Sequence, residues 1–209
     1  MAETIIFDMD GTLVDTMLMT ALAFEELAES YDLPVPPRKA IKDAMGLADL
    51  YFYRKIYPNE PEDKLPAFGD AVEKRESAIG FELGEKVLFE GVKGMLEALK
   101  ANGKRLYLAS TGSRKHVRDM LTCGGILELF EEIHCAQPDK EEMTAGILRS
   151  AGTMDAVFVG DTFKDANAAC ANDIPAIGAG FGYVKDEERA LFDCVLDTPE
   201  ALLKYLLSE

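Results

Sequence analysis

The sequence predicts an α/β protein, a Rossmann-like parallel sheet flanked by helices, with a helical segment inserted after the first strand. Three observations carry this. From residue 86 onward, short apolar runs rich in β-branched residues alternate with amphipathic helix-like stretches. Polar, glycine-punctuated residues follow those runs, at the strand ends where ligands bind in open α/β sheets. Residues 17–85 break the alternation and carry helical periodicity only.

Thr4-Ile5-Ile6-Phe7 reads as a buried first strand, and Asp8-Met9-Asp10-Gly11-Thr12-Leu13 follows it directly. Asp8 and Asp10, spaced i, i+2, stand at the strand's C-terminal edge. Charge is costly to bury there, so these acids must meet a cation, a proton or solvent. In the insert, Leu18, Ala21, Leu22, Ala28 and Tyr31 sit near helical spacing, with Glu25, Glu26 and Glu29 on the other side. Pro34, Pro36 and Pro37 break the chain, and helices are expected over 38–57 and 62–79. The aromatic cluster Tyr51, Phe52, Tyr53 and Tyr57 is expected to pack the insert rather than to form a substrate box.

Gly91 to Asn102 predicts a helix burying Val92, Met95, Leu96 and Leu99, with Gly103 as its C-cap. Strand 105–109 and helix 114–123 follow, then strand 132–135 and helix 140–151, then strand 156–160 and helix 164–172. Strands are expected again at 175–178 and 193–196. The last helix takes Thr198 as N-cap and Pro199 as its first residue, and buries Leu202, Leu203, Leu206 and Leu207. Two units result: residues 1–16 with 86–209, and the helical insert 17–85.

Composition narrows the partners. The chain has 209 residues, 48% of them hydrophobic, enough for a substantial core. A net charge of −16 argues against nucleic acid and against an anionic membrane. Four scattered cysteines without a CxxC suit a reducing, cytoplasmic compartment. His116 and His134 lack metal-ligand spacing and read as structural. No apolar run approaches membrane-spanning length, and the start lacks a basic leader region, so neither anchor nor signal peptide is expected.

A second acid pair decides the chemistry. Gly160-Asp161-Thr162-Phe163-Lys164-Asp165 follows the strand-like Ala156-Val157-Phe158-Val159. If both pairs converge, their repulsion in a partly dry cleft calls for a divalent cation. Oxygen ligands without a His or Cys cluster favour Mg²⁺ over zinc. Ser110 and Thr111 end another strand, and Lys140 opens a helix after Ile133-His134-Cys135. A hydroxyl and an ammonium beside an acid–metal cluster are what a phosphoryl group requires.

In this order the motifs resemble those of the haloacid dehalogenase (HAD) superfamily. DxDGTLxDT stands as Asp8 to Thr16, and GDxxxD as Gly160 to Asp165. The second motif falls on Ser110, with Thr111 the alternative by one residue. The third falls on Lys140, without the usual following proline. The tail from Gly180 to Ser208 is similar to the phosphoglycolate-phosphatase branch. The resemblance implies a HAD fold whose insert is an α-helical cap domain. It implies Asp8 as nucleophile, Asp10 as general acid and base, and Mg²⁺ held by Asp8, the Asp10 carbonyl and Asp161. Asp165 would act behind these or through water, Ser110 would donate to the phosphate, and Lys140 would offset negative charge. Asp15 and Thr16 are expected to be hinge residues.

The acid at position 10 favours phosphate monoesters, because dehalogenating and phosphonate-cleaving members lack it. A sugar phosphomutase of the β-phosphoglucomutase type is the alternative, but such enzymes carry a cap-side histidine where Thr20 stands. A signalling receiver domain would lack the insert and the first-strand acid pair. The expectation is a Mg²⁺-dependent phosphatase of a small soluble metabolite, phosphoglycolate by branch resemblance, acting as monomer or homodimer. A carboxylate substrate would need a cap cation, and Arg38, Lys42, Arg54 and Lys55 are available.

Overall fold

Strand β1 (Thr4–Phe7) lies between β2 (Arg105–Ser110) and β4 (Ala156–Gly160) in the computed structural model, which describes residues 2–45, 47, 49–61 and 63–208. With β3 (Glu132–Cys135), β5 (Ala176–Ala179) and β6 (Cys194–Leu196), the sheet runs β3-β2-β1-β4-β5-β6, every neighbouring pair parallel. A parallel sheet needs cover on both faces, so its central strands are apolar throughout rather than alternating. All four residues of β1 are buried. Ile5 and Phe7 join Leu106, Leu108, Val157 and Val159 on one face, under α5 (Val92–Ala101), α6 (Arg114–Cys123) and α9 (Pro199–Leu207). Ile6, Tyr107 and Phe158 point to the other, under α7 (Lys140–Ala151) and α8 (Phe163–Ala171).

Local signals set the helix ends. Thr198 Oγ1 accepts from Ala201 N at 3.0 Å, with Pro199 in the first turn. Asp139 Oδ1 accepts from Glu141 N at 2.8 Å, and Ser113 Oγ accepts from His116 N at 3.2 Å. Each cap satisfies an amide that the first helical turn leaves without a partner.

The insert consists of α1 (Thr16–Leu27), a 3-10 turn (Ala28–Tyr31), α2 (Arg38–Ala44), α3 (Asp49–Ile56) and α4 (Lys64–Leu83). Two expectations need correction. The single helix over 38–57 is two, because Met45 turns out of the helix at ψ 143°. The helix expected over 62–79 starts at Lys64 and runs on to Leu83, with Pro66 tolerated in its first turn. Positions 46, 48 and 62, inside those expected spans, lie outside the described residues. In α1 the buried positions include Met19, Ala23 and Phe24, while Leu18 and Leu22 are half-buried. Phe24 organises the aromatic cluster: Tyr53 and Tyr57 stack on it at 6.1 Å, and Phe68 meets it edge-on at 5.0 Å. Tyr51 points to solvent, 76% exposed, and is no part of that packing.

The insert is joined to the sheet by two adjacent segments. Asp15 N donates to Val87 O at 2.8 Å and Phe89 N to Leu13 O at 3.1 Å, with Val14 and Leu88 in an antiparallel bridge between them. Beyond that junction α4 lies along α6, closely enough that a Cβ on Gly80 would stand 2.8 Å from Met120 Cε. All four cysteines are unpaired. Among the described residues, no helix is long and apolar enough to cross a membrane.

Candidate active site

The strand order reverses at β1 and β4, the switch point where open α/β sheets leave a crevice beyond their C-terminal edges. Asp8 and Asp161 follow those two strands. Asp8 N donates to Val159 O at 2.9 Å, which carries the ladder one residue past β1 and fixes Asp8 at the rim. The chain then turns at Gly11, at φ +83°, a conformation that L side chains rarely adopt. A Cβ there would stand 2.4 Å from Asp161 Oδ2. The turn also aims Thr12 Oγ1 at Asp161 Oδ1, 3.0 Å away.

Lys140, the first residue of α7, is buried and donates to Asp8 Oδ1 at 2.5 Å and to Asp165 Oδ1 at 2.6 Å. Burial opposes its charge, but Asp165 and Asp8 outweigh that and hold the ammonium well above its ordinary range. Asp165 forms a capping box at the start of α8: its Oδ2 accepts from Thr162 N, Thr162 Oγ1 and Asp161 N. Both its oxygens therefore serve donors that shape the loop.

Asp8 is pushed up to about 7 by burial, with Lys140 pulling the other way. Asp161 is also raised, first by burial and then by Asp8 and Asp165. Oxygens of Asp8, Asp161 and Asp165 lie within 4.8 Å of one another, and Asp161 Oδ2 is buried with no hydrogen-bond partner among the described residues. A buried carboxylate oxygen left without a partner is costly. An oxygen-only donor set with one orphaned anionic atom fits a hard divalent ion.

Asp10 behaves differently. Its Oδ1 accepts from Thr16 Oγ1 at 2.6 Å and lies 2.8 Å from His116 Nε2. Burial pushes Asp10 up, yet His116 and Thr16 together bring it below its usual value. His116 rises to about 9, because Asp10 outweighs the burial that disfavours an imidazolium. Both shifts favour an ion pair with the proton on His116.

This corrects two sequence expectations. His116 is a partner of a motif acid, not a structural histidine, and Thr16 does more than form a hinge. The usable signal was position: His116 falls in the first turn of a helix that starts at the ligand-binding edge of the sheet. His134 stays structural, 3.0 Å from Glu132 on β3. Asp15 is structural too, accepting from Leu18 N and from the hydroxyl of Tyr183, which itself accepts from Met17 N.

Ser110 ends β2, fully buried, with Oγ accepting from Gly112 N at 3.1 Å. Its hydroxyl proton remains to be donated. Thr111 lines the cleft beside it. The cleft measures about 870 Å³ and has Asp8, Asp10, Lys140 and Asp161 at its floor, with Phe52, Tyr53 and Glu76 of the insert opposite. The cap cations expected for a carboxylate are elsewhere. Arg38 pairs with Glu25 at 3.2 Å and Arg54 donates to Glu60 O at 2.8 Å. Among the described residues, neither of these nor Lys42 or Lys55 lines the cleft.

The sequence profile of the haloacid dehalogenase-like hydrolases matches residues 5–179. A phosphoglycolate phosphatase of Pasteurella multocida is 28% identical over 190 residues, 85% of each chain. A 5′-nucleotidase of Pseudomonas aeruginosa is 25% identical, covering 88% of this chain and 85% of the relative. Among solved structures, a haloacid dehalogenase-like hydrolase of Streptococcus pneumoniae superposes with a TM-score of 0.82 at 23% identity, covering 97% of both chains. CbbY of Rhodobacter sphaeroides, solved in complex with xylulose-(1,5)-bisphosphate, superposes at 0.77 with 23% identity over 95% of both.

Proposed function

The chain belongs to the haloacid dehalogenase-like hydrolase family, and on that premise we propose that this phosphatase cleaves a small-molecule phosphate monoester through an aspartyl-phosphate on Asp8, with Mg²⁺ as cofactor. The observation that carries the reading is the arrangement at the floor of the cleft. Asp8 is held by Lys140 beside an orphaned Asp161 oxygen, while Asp10 sits 2.8 Å from His116.

Lys140 favours the ionised form of Asp8 against burial, and a carboxylate held in place can attack phosphorus in line. As the Asp8–phosphorus bond forms, the bond from phosphorus to the leaving oxygen breaks, and that oxygen takes the one proton of the His116–Asp10 pair, passed from His116 through Asp10, which leaves His116 neutral and Asp10 ionised. In the second step water attacks the phosphorus of the aspartyl-phosphate and gives its proton to Asp10, which hands it on to His116 and so restores the starting pair. Ser110 and Thr111 offer hydroxyls to the transferred group. Asp8, Asp161 and the Asp10 carbonyl would hold Mg²⁺, with Asp165 behind them. The bound ion would supply positive charge to phosphoryl oxygens.

Residues 17–85 are assigned as the cap, and the fold is expected to work in the cytoplasm. Phosphoglycolate, the substrate in the names of several relatives, is the reference compound. Phosphate release from a panel of phosphorylated metabolites, with and without Mg²⁺, tests the activity. Trapping the phosphoryl group on a residue other than Asp8 would overturn the mechanism.

A further inference from the structure

Cations line only one end of the cleft, where they stand among Asp8, Asp10 and Asp161. Its cations, Lys140, Lys164 and His116, all come from the sheet domain. The facing wall is α4, which turns Asp70, Glu73 and Glu76 inward, three residues apart along one helical face. Among the described residues of the insert, no Lys or Arg lines the cleft. Lys74 and Arg75 fall on the other faces of α4, where Arg75 is held by Glu26 and Glu82.

Partners of the three acids are few. Glu76 accepts from Thr20 Oγ1 at 2.5 Å, and Glu73 accepts from Ser113 Oγ at 3.2 Å. Asp70 has no hydrogen-bond or ion-pair partner among the described residues. Beside the acids, Phe52 and Tyr53 of α3 line the same cavity. A second, independent feature sets the direction in which a substrate enters. Lys140 at the floor, beside the buried and unpartnered Asp161 Oδ2 that fits a divalent ion, marks that end for the phosphoryl group. The rest of the substrate must then extend toward α4.

Resting on the phosphatase reading above, we propose that the leaving alcohol carries a cationic nitrogen, so that the site selects phosphorylated amino alcohols over phosphorylated hydroxy acids. An ammonium at that end meets carboxylates and aromatic faces, both of which attract it. A carboxylate there meets Asp70 and Glu73 beside Glu76, which burial pushes up to about 7, and the cation nearest them, His116, is already engaged by Asp10; like charges brought together select against it. The relatives' substrate, phosphoglycolate, is the compound this wall discriminates against.

Four substrates separate the cases: 2-aminoethyl phosphate, neutral glycerol 2-phosphate, phosphoglycolate, and p-nitrophenyl phosphate as a generic ester. In the unmodified protein kcat/KM should fall in the order cationic, neutral, anionic, with the first and last on the order of 10²-fold apart. The double variant Asp70→Asn, Glu73→Gln should shrink that gap by about tenfold, each rate being taken relative to that of the aryl ester in the same variant. Glu73→Lys, a single change at an exposed position, should raise activity on phosphoglycolate and lower it on 2-aminoethyl phosphate. It is the variant to read if the double one fails to fold. Phosphoglycolate leading in the unmodified protein, or a gap that neither variant moves, would overturn the proposal while hydrolysis of the aryl ester kept the phosphatase reading. Release of phosphate from none of the four would overturn both.

Discussion

His116 Nε2 stands 2.8 Å from Asp10 Oδ1, joining the start of α6 to the turn after β1 across 106 residues of sequence. In the mechanism proposed above, the contact gives the second motif acid a proton source that a lone carboxylate lacks. It also separates the two acids electrically, since Asp8 is raised and Asp10 lowered although they are two residues apart. Pairs of carboxylates driven apart in this way take different roles in one reaction.

Replacing His116 by Asn is expected to lower kcat by about 10–10²-fold with little change in KM, because the ground-state contacts of the substrate lie elsewhere. The pH dependence follows from the sign of the shift. His116 is raised from 6.5 to about 9, so its contribution to stability is complete below pH 6.5 and is lost as pH rises through 9. The difference in Tm between protein and variant should therefore shrink between pH 6.5 and 9. A variant with an unaltered pH–kcat profile would remove His116 from the mechanism.

Asp8→Asn should abolish turnover and leave the fold intact, since the amide keeps the volume but is not a nucleophile. Asp10→Asn should be slowed in both steps by on the order of 10²–10⁴ in rate. Thermal melts beside a phosphate-release assay distinguish lost chemistry from lost structure. Comparable residual turnover in the two variants would contradict their separate assignments.

Mg²⁺ should raise Tm more at pH 8 than at pH 5. Asp8 and Asp161 are both raised, so without a cation the folded state holds protons that the unfolded chain has released. For such acids stability falls as pH rises from about 4 toward 7, the window between the ordinary carboxylate value and that of Asp8. A cation that binds the ionised acids offsets that loss. Ca²⁺, which takes more oxygens at longer distances, should bind without supporting turnover. Full activity after exhaustive chelation would rule the metal out.

Gly182→Ala is expected to cost about 3 kcal/mol or more, because its Cβ would stand 1.7 Å from Gly11 O and force the turn after β1 apart. Gly94→Ala, inside α5 with nothing within 4 Å of the new methyl, should instead stabilise by about 0.5–1 kcal/mol. Urea unfolding of the two variants checks both signs at once.

Much of this was legible in the sequence because the signals are local. Apolar runs and helix caps placed β1 to β6 and α5 to α9 within a residue or two, and the acids announced themselves by sitting just past strands. What stayed hidden depends on tertiary contact. His116 gains its meaning only when α6 is brought against the turn after β1. The break at Met45 had one local signal, the glycine that follows it in the sequence, inside a pattern that reads as helical on either side. Which face of α4 turns inward decides whether the cleft meets Asp70 and Glu73 or Lys74 and Arg75, and composition is nearly neutral between them. The cap cations that sequence offered for a carboxylate failed on the same point, orientation.

The antiparallel bridge between Val14 and Leu88 makes the two ends of the insert neighbours. A polypeptide that departs and returns through one doorway can be exchanged as a cassette, because a short turn closes the gap without pulling any strand out of register. The limit on such grafting is the footprint left behind. Met120 and Cys123 of α6 lie under α4, so a replacement must arrive with its own apolar helix or leave that patch wet. Transplanting a foreign insert onto this sheet thus becomes a question of matching one greasy stripe, with the acids and Lys140 at the floor of the cleft left untouched.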